Sequence, residues 1–487
     1  MTSAEQVSVG GPNRLARNAL GVPGIVFLVL AAVAPLTGMV VVGAIGIAVG
    51  NGSGMVWSFI LVSVSLLLFA VGYAQMSRKL VSAGGFYSFV VKGLGRPFGL
   101  VSALVALLGY NMFVAGGIGT SGFFTAFIVD DVFGPKLHWT IWSAISVVLV
   151  FALSRRGIEF SAKVLGVCLV LEVSILLVMD FSIVFQHGLS FSVFQWSQIT
   201  TGSMGLGLLF AANAFVGFEA TSLFSEEARD PGRTIPRATY LAIGFIGLFT
   251  AFTTWCIVSA VGVSSAQDAA LKHLPTGDLV FSISQDFLGT FLTKVMMVLL
   301  LVSLFAALLA LHNSATRYVF ALGRVGILPR ALGRTDAANG SPRNASIAQL
   351  GFAGIIAGIY GVAGLDPITD LTASMTGFGT LGILTLQAFA AVSIVVYFRR
   401  LRDPRIWKTL VAPGIGGIGI ITIVVLAVVN FSDLAGSQDP LIAKLPYLLL
   451  AALVIGLGAA VWLRKNRPQI YAELDTDLER FSPTVAD

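Results

Sequence analysis

Two carboxylates, Glu172 and Glu219, stand well inside long apolar stretches of the chain, and they are the acidic residues placed there by the reading of the sequence. Charge in such surroundings is costly, so each is either a structural group bonded to a neighbouring helix or a group that takes up and releases a proton in the course of function. Two helix-breaking runs lie in apolar stretches as well. The first is Ala34-Pro35-Leu36-Thr37-Gly38, in which Pro35 has no N–H to donate and Gly38 allows unusual dihedral angles. The second runs from Ala211 to Glu219 and contains Asn213, Ala214, Phe215, Gly217 and Phe218. Backbone groups released at mid-membrane depth are tolerated only inside a bundle or beside a cavity. Paired breaks of this kind point to a binding site, because half-helix ends present amides and carbonyls to a small ligand. A proline kink that only aids packing is the alternative for the first run. Phe215 and Phe218 flank the second break.

The elements that must position these residues follow from composition. Of 487 residues, 56% are hydrophobic and 11% charged, with 54 glycines; soluble domains carry about 25% charged residues. An ordinary soluble enzyme is excluded, and a polytopic helical membrane protein is expected. Twelve apolar segments can be counted, at about 23–49, 56–76, 98–129, 139–153, 163–185, 203–224, 238–262, 290–321, 345–363, 368–398, 411–431 and 443–463. They are numbered here as spans 1 to 12. The Ala32-Val33-Ala34 pattern after Arg14 and Arg17 imitates a signal-peptide cleavage site, but the apolar run resumes after Pro35 and reads as an interrupted span.

With the N-terminus inside, 26 of the 30 Lys and Arg residues fall on the inner side, leaving Lys136, Lys272, Lys294 and Lys444 outside. Basic residues accumulate on the cytoplasmic side of membrane proteins. Both termini are therefore expected in the cytoplasm, in a plasma (inner) membrane, and the net charge of +6 needs no nucleic-acid partner. The tail from Arg464 to Asp487 reads as a short solvated extension. Cys168 and Cys256 read as small buried hydrophobes. His312 and Asn313, in the inner part of span 8, read as partners in an interhelical hydrogen bond. The four histidines are scattered, and neither a metal site nor a cofactor is expected. No G-x-x-x-x-G-K-[ST] loop, H-E-x-x-H helix or G-x-S-x-G elbow is visible, which argues against ATP-driven transport and against an intramembrane enzyme.

After span 6 the sequence reads Gly217-Phe218-Glu219, then Glu226-Glu227-Ala228-Arg229-Asp230-Pro231-Gly232-Arg233-Thr234-Ile235-Pro236-Arg237-Ala238. This resembles the signature of the amino acid, polyamine and organocation (APC) transporter superfamily. Gly84 to Tyr87 with Gly95 to Gly99, and Asn313 to Arg317 with Ala321 to Pro329, agree with it. The resemblance implies an all-α, sodium-symporter-like fold: a five-plus-five inverted repeat with two added C-terminal helices. Its divisions would be a tail at 1–22, repeats at 23–200 and 201–400, helices 11 and 12 at 401–464, and a tail at 465–487.

It further implies alternating access about a central site, with a substrate carboxylate on amides of broken helix 1 and an ammonium on carbonyls of helices 1 and 6. The matching positions are Ala34 to Gly38 and Asn213 to Phe218; Pro35 removes one donor from the first. Glu172 stands where relatives often carry a lysine, and a small hydroxyl residue of span 8 would fall at Ala307, where a serine ligand is missing. Both departures favour a proton over sodium as the coupling ion. The expected function is secondary transport of an amino acid or related small amine, with proton-coupled import. Polyamine transport using Glu219 and Glu172, exchange, and a non-accumulating channel or transceptor are the alternatives. Glu226, Glu227, Arg233 and Arg237 read as an inner-face ion-pair network that either changes partners as helices rock or forms a static clamp. Glu219 ranks ahead of Glu172 as proton carrier.

Overall fold

A computed structural model describes residues 20–80, 85–134, 136–155, 158–274, 276–336, 340–431 and 440–476. Arg14, Arg17, Gly84, Arg156, the side chain of Lys163 and Arg480 lie outside the described residues. Among the described residues eleven helices are long and apolar enough to cross a membrane. The fourth expected segment is a 16-residue helix, Trp139–Ser154. Span 1 begins as Val22–Val33 and resumes as Pro35–Thr37 and Gly38–Gly43. Span 2 is Met55–Ser77, span 3 Arg96–Phe133 and span 5 Ile158–Gln186. Span 6 is Met204–Asn213 followed by a 3-10 turn, Phe218–Phe224, and span 7 is Pro231–Val261.

Span 8 is the later part of the helical stretch Leu279–Val325, which leaves helical geometry at Gly289 (φ 75°, ψ 175°) and so separates a short outer helix from the span. Spans 9 to 12 are Arg343–Val362, Ala373–Arg400, Ala412–Val429 and Tyr447–Asn466. The packing carries an internal symmetry. Span 3 lies along span 10 as span 8 lies along span 5; span 3 packs on span 4 as span 8 packs on span 9; span 1 meets span 7 as span 6 meets span 2. Each pair becomes the other when five is added to or subtracted from the span number, as two equivalent sets of five helices require. Spans 11 and 12 lean on the outside, against spans 2 and 10 and against span 3.

One expectation changes at the C-terminus. Residues Pro468–Thr476 form a helix rather than a solvated strand of chain. Leu474 is buried in a cluster with Leu100, Ala460 and Leu463, because the helix presents one apolar edge to the ends of spans 3 and 12.

Helices pack closely in a membrane where small residues let backbones approach. A Cβ on Gly93, in the helix Phe86–Leu94, would lie 2.4 Å from the carbonyl oxygen of Ser393 on span 10. A Cβ on Gly351, in span 9, would meet nothing within 4 Å. Gly93→Ala is therefore expected to destabilise the protein by about 1–3 kcal/mol, the usual cost of forcing atoms into a packed interior. Gly351→Ala is expected to leave stability unchanged or slightly raised. Thermal unfolding of the two variants in detergent checks the contrast, and equal melting temperatures would contradict it.

Candidate functional site

The break in span 1 is one residue wide. A proline disfavours helical geometry at the residue before it, and Ala34 accordingly takes a left-handed conformation, φ 49° and ψ 76°. Its own N–H still donates to Leu30 at 3.1 Å, and its carbonyl accepts from Gly38 at 2.7 Å. Gly38 is not the strained position that the sequence suggested: its dihedrals, φ −55° and ψ −43°, are those of any helical residue. Pro35 has already absorbed the break through its neighbour, so no glycine freedom is needed at Gly38.

Beyond the break, two amides turn to side chains of other spans. Leu36 N–H donates to Glu172 Oε2 at 3.4 Å. Thr37 N–H donates to Ser303 Oγ at 3.3 Å, and the Thr37 hydroxyl to the same oxygen at 2.9 Å. Glu172 and Ser303 are both wholly buried, on spans 5 and 8. The hydroxyl partner on span 8 is therefore Ser303, one helical turn before Ala307.

Span 6 breaks differently. Its first half ends at Asn213, and the chain passes through tight turns in which Phe215 N–H donates to Ala212 and Val216 N–H to Asn213, each at 3.0 Å. Gly217 then takes φ 118°, a region open to glycine and few other residues. Glu219 folds back over this turn. Its two oxygens accept from Gly217 N–H at 3.2 and 3.0 Å, Oε1 from the Tyr110 hydroxyl of span 3 at 2.6 Å, and Oε2 from Gln387 Nε2 of span 10 at 3.2 Å. A side-chain amide at the other end of the break, Asn213 Nδ2, donates to Thr380 Oγ1 of span 10 at 2.6 Å.

The two breaks touch. A Cβ on Gly217 would lie 2.9 Å from the Cβ of Ala32. The structure thus brings together Ala34, Pro35, Leu36, Thr37 and Glu172 around one break, and Asn213, Ala214, Gly217 and Glu219 around the other. Thr37 and Asn213 keep partial exposure, whereas Ala34, Leu36, Ala214 and Glu219 are buried. The two phenylalanines sit on the far side of span 6. The tip of the Phe215 ring lies 3.7 Å from where a Cβ on Gly247 of span 7 would be, and Phe218 meets Phe69 of span 2 edge to face at 6.4 Å. Both fill the contact between span 6 and its neighbours.

Sequence reasoning missed several residues. Tyr110, Gln387, Thr380 and Ser303 carry no local signal, since each is an ordinary polar residue whose partner is more than 100 positions away. Asp180 was also missed. It is wholly buried on span 5, two helical turns after Glu172, and accepts from the Thr253 hydroxyl of span 7 at 2.7 Å. Glu172 and Glu219 are therefore not the sole carboxylates inside the spans. His312 is an interhelical hydrogen-bonding group, as expected, bonded through its ring nitrogens to Gln349 at 2.5 Å and Ser346 at 2.9 Å of span 9.

The ion pairs below the site differ in partner from the sequence reading. Arg317 of span 8 grips Glu227 with contacts of 3.0, 2.8 and 2.7 Å and lies 4.5 Å over the Phe224 ring. Arg324 grips Glu226 at 3.0 and 2.8 Å. Arg233 meets only Asp230, at 3.6 Å and in the open. Span 8 reaches the acidic pair because it runs directly beneath the loop, while Arg233 points outward from the start of span 7. Leu20 joins the same loop as a short parallel bridge: its N–H donates to Glu227 O at 3.0 Å and its carbonyl accepts from Arg229 N–H at 2.7 Å. Among the described residues no group of three or more His, Cys, Asp or Glu side chains could hold a metal ion.

Comparison with known proteins gives a consistent result. Residues 20–459 match the amino acid permease family model. The chain is 24% identical to a branched-chain amino acid permease of Bacillus subtilis over 78% of this chain and 80% of that protein. It is 26% identical to a methylthioribose transporter of the same organism, over 79% and 82%. A low-affinity putrescine importer of Escherichia coli is 23% identical over 55% and 59%. The fold is similar to that of MhsT solved in complex with L-phenylalanine, with a TM-score of 0.57 at 14% identity, covering 86% of this chain and 99% of that one.

The contact between the breaks separates two glycines that the sequence treats alike. Gly217→Ala places a methyl group in the left-handed region and against Ala32, and is expected to cut ligand binding by about tenfold or more, given roughly 1–3 kcal/mol of strain at the break. Gly38→Ala meets only Val33 O at 3.8 Å and is expected to keep binding within about twofold, since helical alanine costs less than glycine. Binding of the purified variants, with folded fraction followed by size-exclusion profile, checks this; equal losses at both positions would contradict it.

Proposed function

The chain belongs to the amino acid permease family, and on that premise we propose that it imports an amino acid or related small amine together with protons, by alternating access about the two breaks. Membership makes it a multi-pass membrane transporter rather than an enzyme. The observation that carries the proposal is the meeting of the two breaks at the centre of spans 1 and 6, one held by the buried carboxylate of Glu172 from span 5 and the other by the buried carboxylate of Glu219 from span 6 itself. Rocking of either span changes the surroundings of both carboxylates, which gives proton binding a mechanical consequence.

The substrate lies between Ala34–Gly38 and the Asn213, Ala214 and Gly217 backbone, with Thr37 and Asn213 as its polar contacts and Phe215 and Phe218 packed behind. Proton coupling involves Glu172 and Glu219, and the geometry favours Glu172. Among the described residues its Oε1 has no hydrogen-bond partner, whereas both oxygens of Glu219 hold donors from three different elements. Those donors also weigh against polyamine transport, since a dication would need Glu219 free as a second acidic contact. Sodium is disfavoured as the coupling ion because a proton needs one acceptor, and Glu172 supplies one. The 26-to-4 division of basic residues supports cytoplasmic termini in a plasma membrane.

Two measurements test this reading. In proteoliposomes, an inward proton gradient is expected to drive accumulation in wild type; Glu172→Gln is expected to equilibrate substrate without accumulating it, and Glu219→Gln to lower uptake through loosening of the span 6 break. Sodium-dependent accumulation that ignores the proton gradient would refute the coupling. Single cysteines introduced at Lys272 and Arg402 are expected to react from outside intact cells at Lys272 only. The reverse pattern would overturn the orientation.

A further inference from the structure

The donors at the break in span 1 are fully engaged within the protein. Pro35 has none; Leu36 N–H goes to Glu172, Thr37 N–H and hydroxyl go to Ser303, and Gly38 N–H goes back to Ala34. The start of a long helical run is where backbone N–H groups and the helix dipole favour an anion, and here the run continues from Pro35–Thr37 through Gly38–Gly43. The anion already there is the side chain of Glu172. It is wholly buried, aimed at Leu36 through Oε2, and its Oε1 has no partner. Its bond is long, at 3.4 Å, and so is that of Thr37 N–H to Ser303, at 3.3 Å; both lie beyond the usual 2.7–3.2 Å range and are weakly held.

We propose that Glu172 is a built-in competitor for the carboxylate of the substrate, occupying the Leu36 amide of the span 1 break until a proton neutralises it. The inference rests on the transport reading above and deepens it by naming the ligand chemistry, a carboxylate-bearing amine, and the step at which the proton acts. With Glu172 ionised, a second carboxylate at Leu36 and Thr37 meets both an occupied donor and a like charge in a buried site. With Glu172 protonated, the charge is gone, the neutral carboxyl is a poorer acceptor, and the Leu36 amide is released to the incoming anion beside the weakly held Thr37 N–H. Proton and carboxylate then favour one another's binding reciprocally, which is the thermodynamic requirement for carrying them together.

The surroundings leave this role to Glu172. Span 1 presents Leu36 and Thr37 to it, and span 8 presents Ser303, none of them ionisable. On span 5 the Cys168 thiol stands one turn before it, and Asp180 two turns after it, turned to Thr253 of span 7. No cation among the described residues is positioned to neutralise Glu172 permanently.

The experiment measures binding of the proteinogenic amino acids and of their decarboxylated amines to the purified full chain, at about pH 8 and about pH 5.5. Amino acids that bind are expected to tighten by about tenfold or more on acidification, the scale of a 1.4 kcal/mol linkage, while the amines show no such slope. Glu172→Gln is expected to bind amino acids at pH 8 as wild type does at pH 5.5, with no pH slope. Ser303→Ala, which removes a neutral partner of both Thr37 and Glu172, is expected to change affinity and move the pH at which the slope is centred while leaving a slope that the amines lack. Amines that bind as tightly as the amino acids, a flat wild-type profile, or a folded Glu172→Gln that loses binding would each overturn the proposal. If Glu172→Gln does not fold, the wild-type contrast between acids and amines decides. Proton-driven uptake without an acid-specific slope refutes this inference alone; absence of binding and uptake across the whole panel refutes the transport reading together with it.

Discussion

The bond from Leu36 N–H to Glu172, with its neighbour from Thr37 to Ser303, is the contact on which the rest of the architecture depends. A helix cannot be interrupted in a hydrocarbon core unless the amides it releases find other partners, because each unpaired group costs several kcal/mol. Span 1 meets that condition with side chains from spans 5 and 8, and this fixes which helices must surround it. The close packing of span 5 on spans 1 and 8 follows from the same need. Were Glu172 on a lipid-facing side of span 5, the Leu36 amide would lose its acceptor and Ser303 alone would hold the break.

Span 6 solves the same problem from within. Glu219 lies two residues after Gly217 and reaches back to its amide, so the cap and the break are encoded together in one short stretch. The remaining acceptor capacity of Glu219 is taken by Tyr110 and Gln387, which ties the break to spans 3 and 10. The two breaks therefore have unlike mechanical characters. One is stapled by long, weak bonds to side chains that belong to other helices; the other is closed by its own chain and by a 2.6 Å hydrogen bond from a tyrosine. The span 1 side is therefore disturbed at less cost than the span 6 side, and on the proposed reading a ligand between them would act there first.

This difference also explains what the sequence disclosed and what it withheld. Pro35 in an apolar run, Gly217 in another, and two carboxylates within spans are violations of what a membrane helix prefers, and violations are visible in a single sequence. The symmetry of the bundle was legible for the same reason, since the breaks recur five spans apart. Ser303, Tyr110, Gln387 and Thr380 were not legible, because a serine or tyrosine in a membrane helix violates nothing and its partner is set by the packing of distant spans. Asp180 lies only a few residues before the end of span 5, a place where a carboxylate in the sequence violates little. The freedom that Gly38 offers is not used, because the proline's effect on the residue before it places the positive φ on Ala34.

The ion pairs at the far end of the same helices set the energy scale on which these central contacts act. Arg317 and Glu227 are both buried, and separating such a pair without hydrating its members costs about 3–5 kcal/mol. Leu20, at the foot of span 1, is bonded to the backbone on either side of Ala228, so span 1 cannot swing at that end without pulling on Glu227. The loop carrying Glu226 and Glu227 follows span 6 directly, and the arginines belong to span 8, so this end joins the two broken spans to a helix that also contacts the break through Ser303. Opening here requires water to reach both arginines and both glutamates at once, because either pair left intact still tethers span 6 to span 8. The gain from a ligand at the centre is a few hydrogen bonds, comparable to one such pair and smaller than two. On the proposed transport reading, this end opens only when changes at both breaks act together, so that a proton at Glu172 and a ligand between the spans are jointly, rather than separately, sufficient.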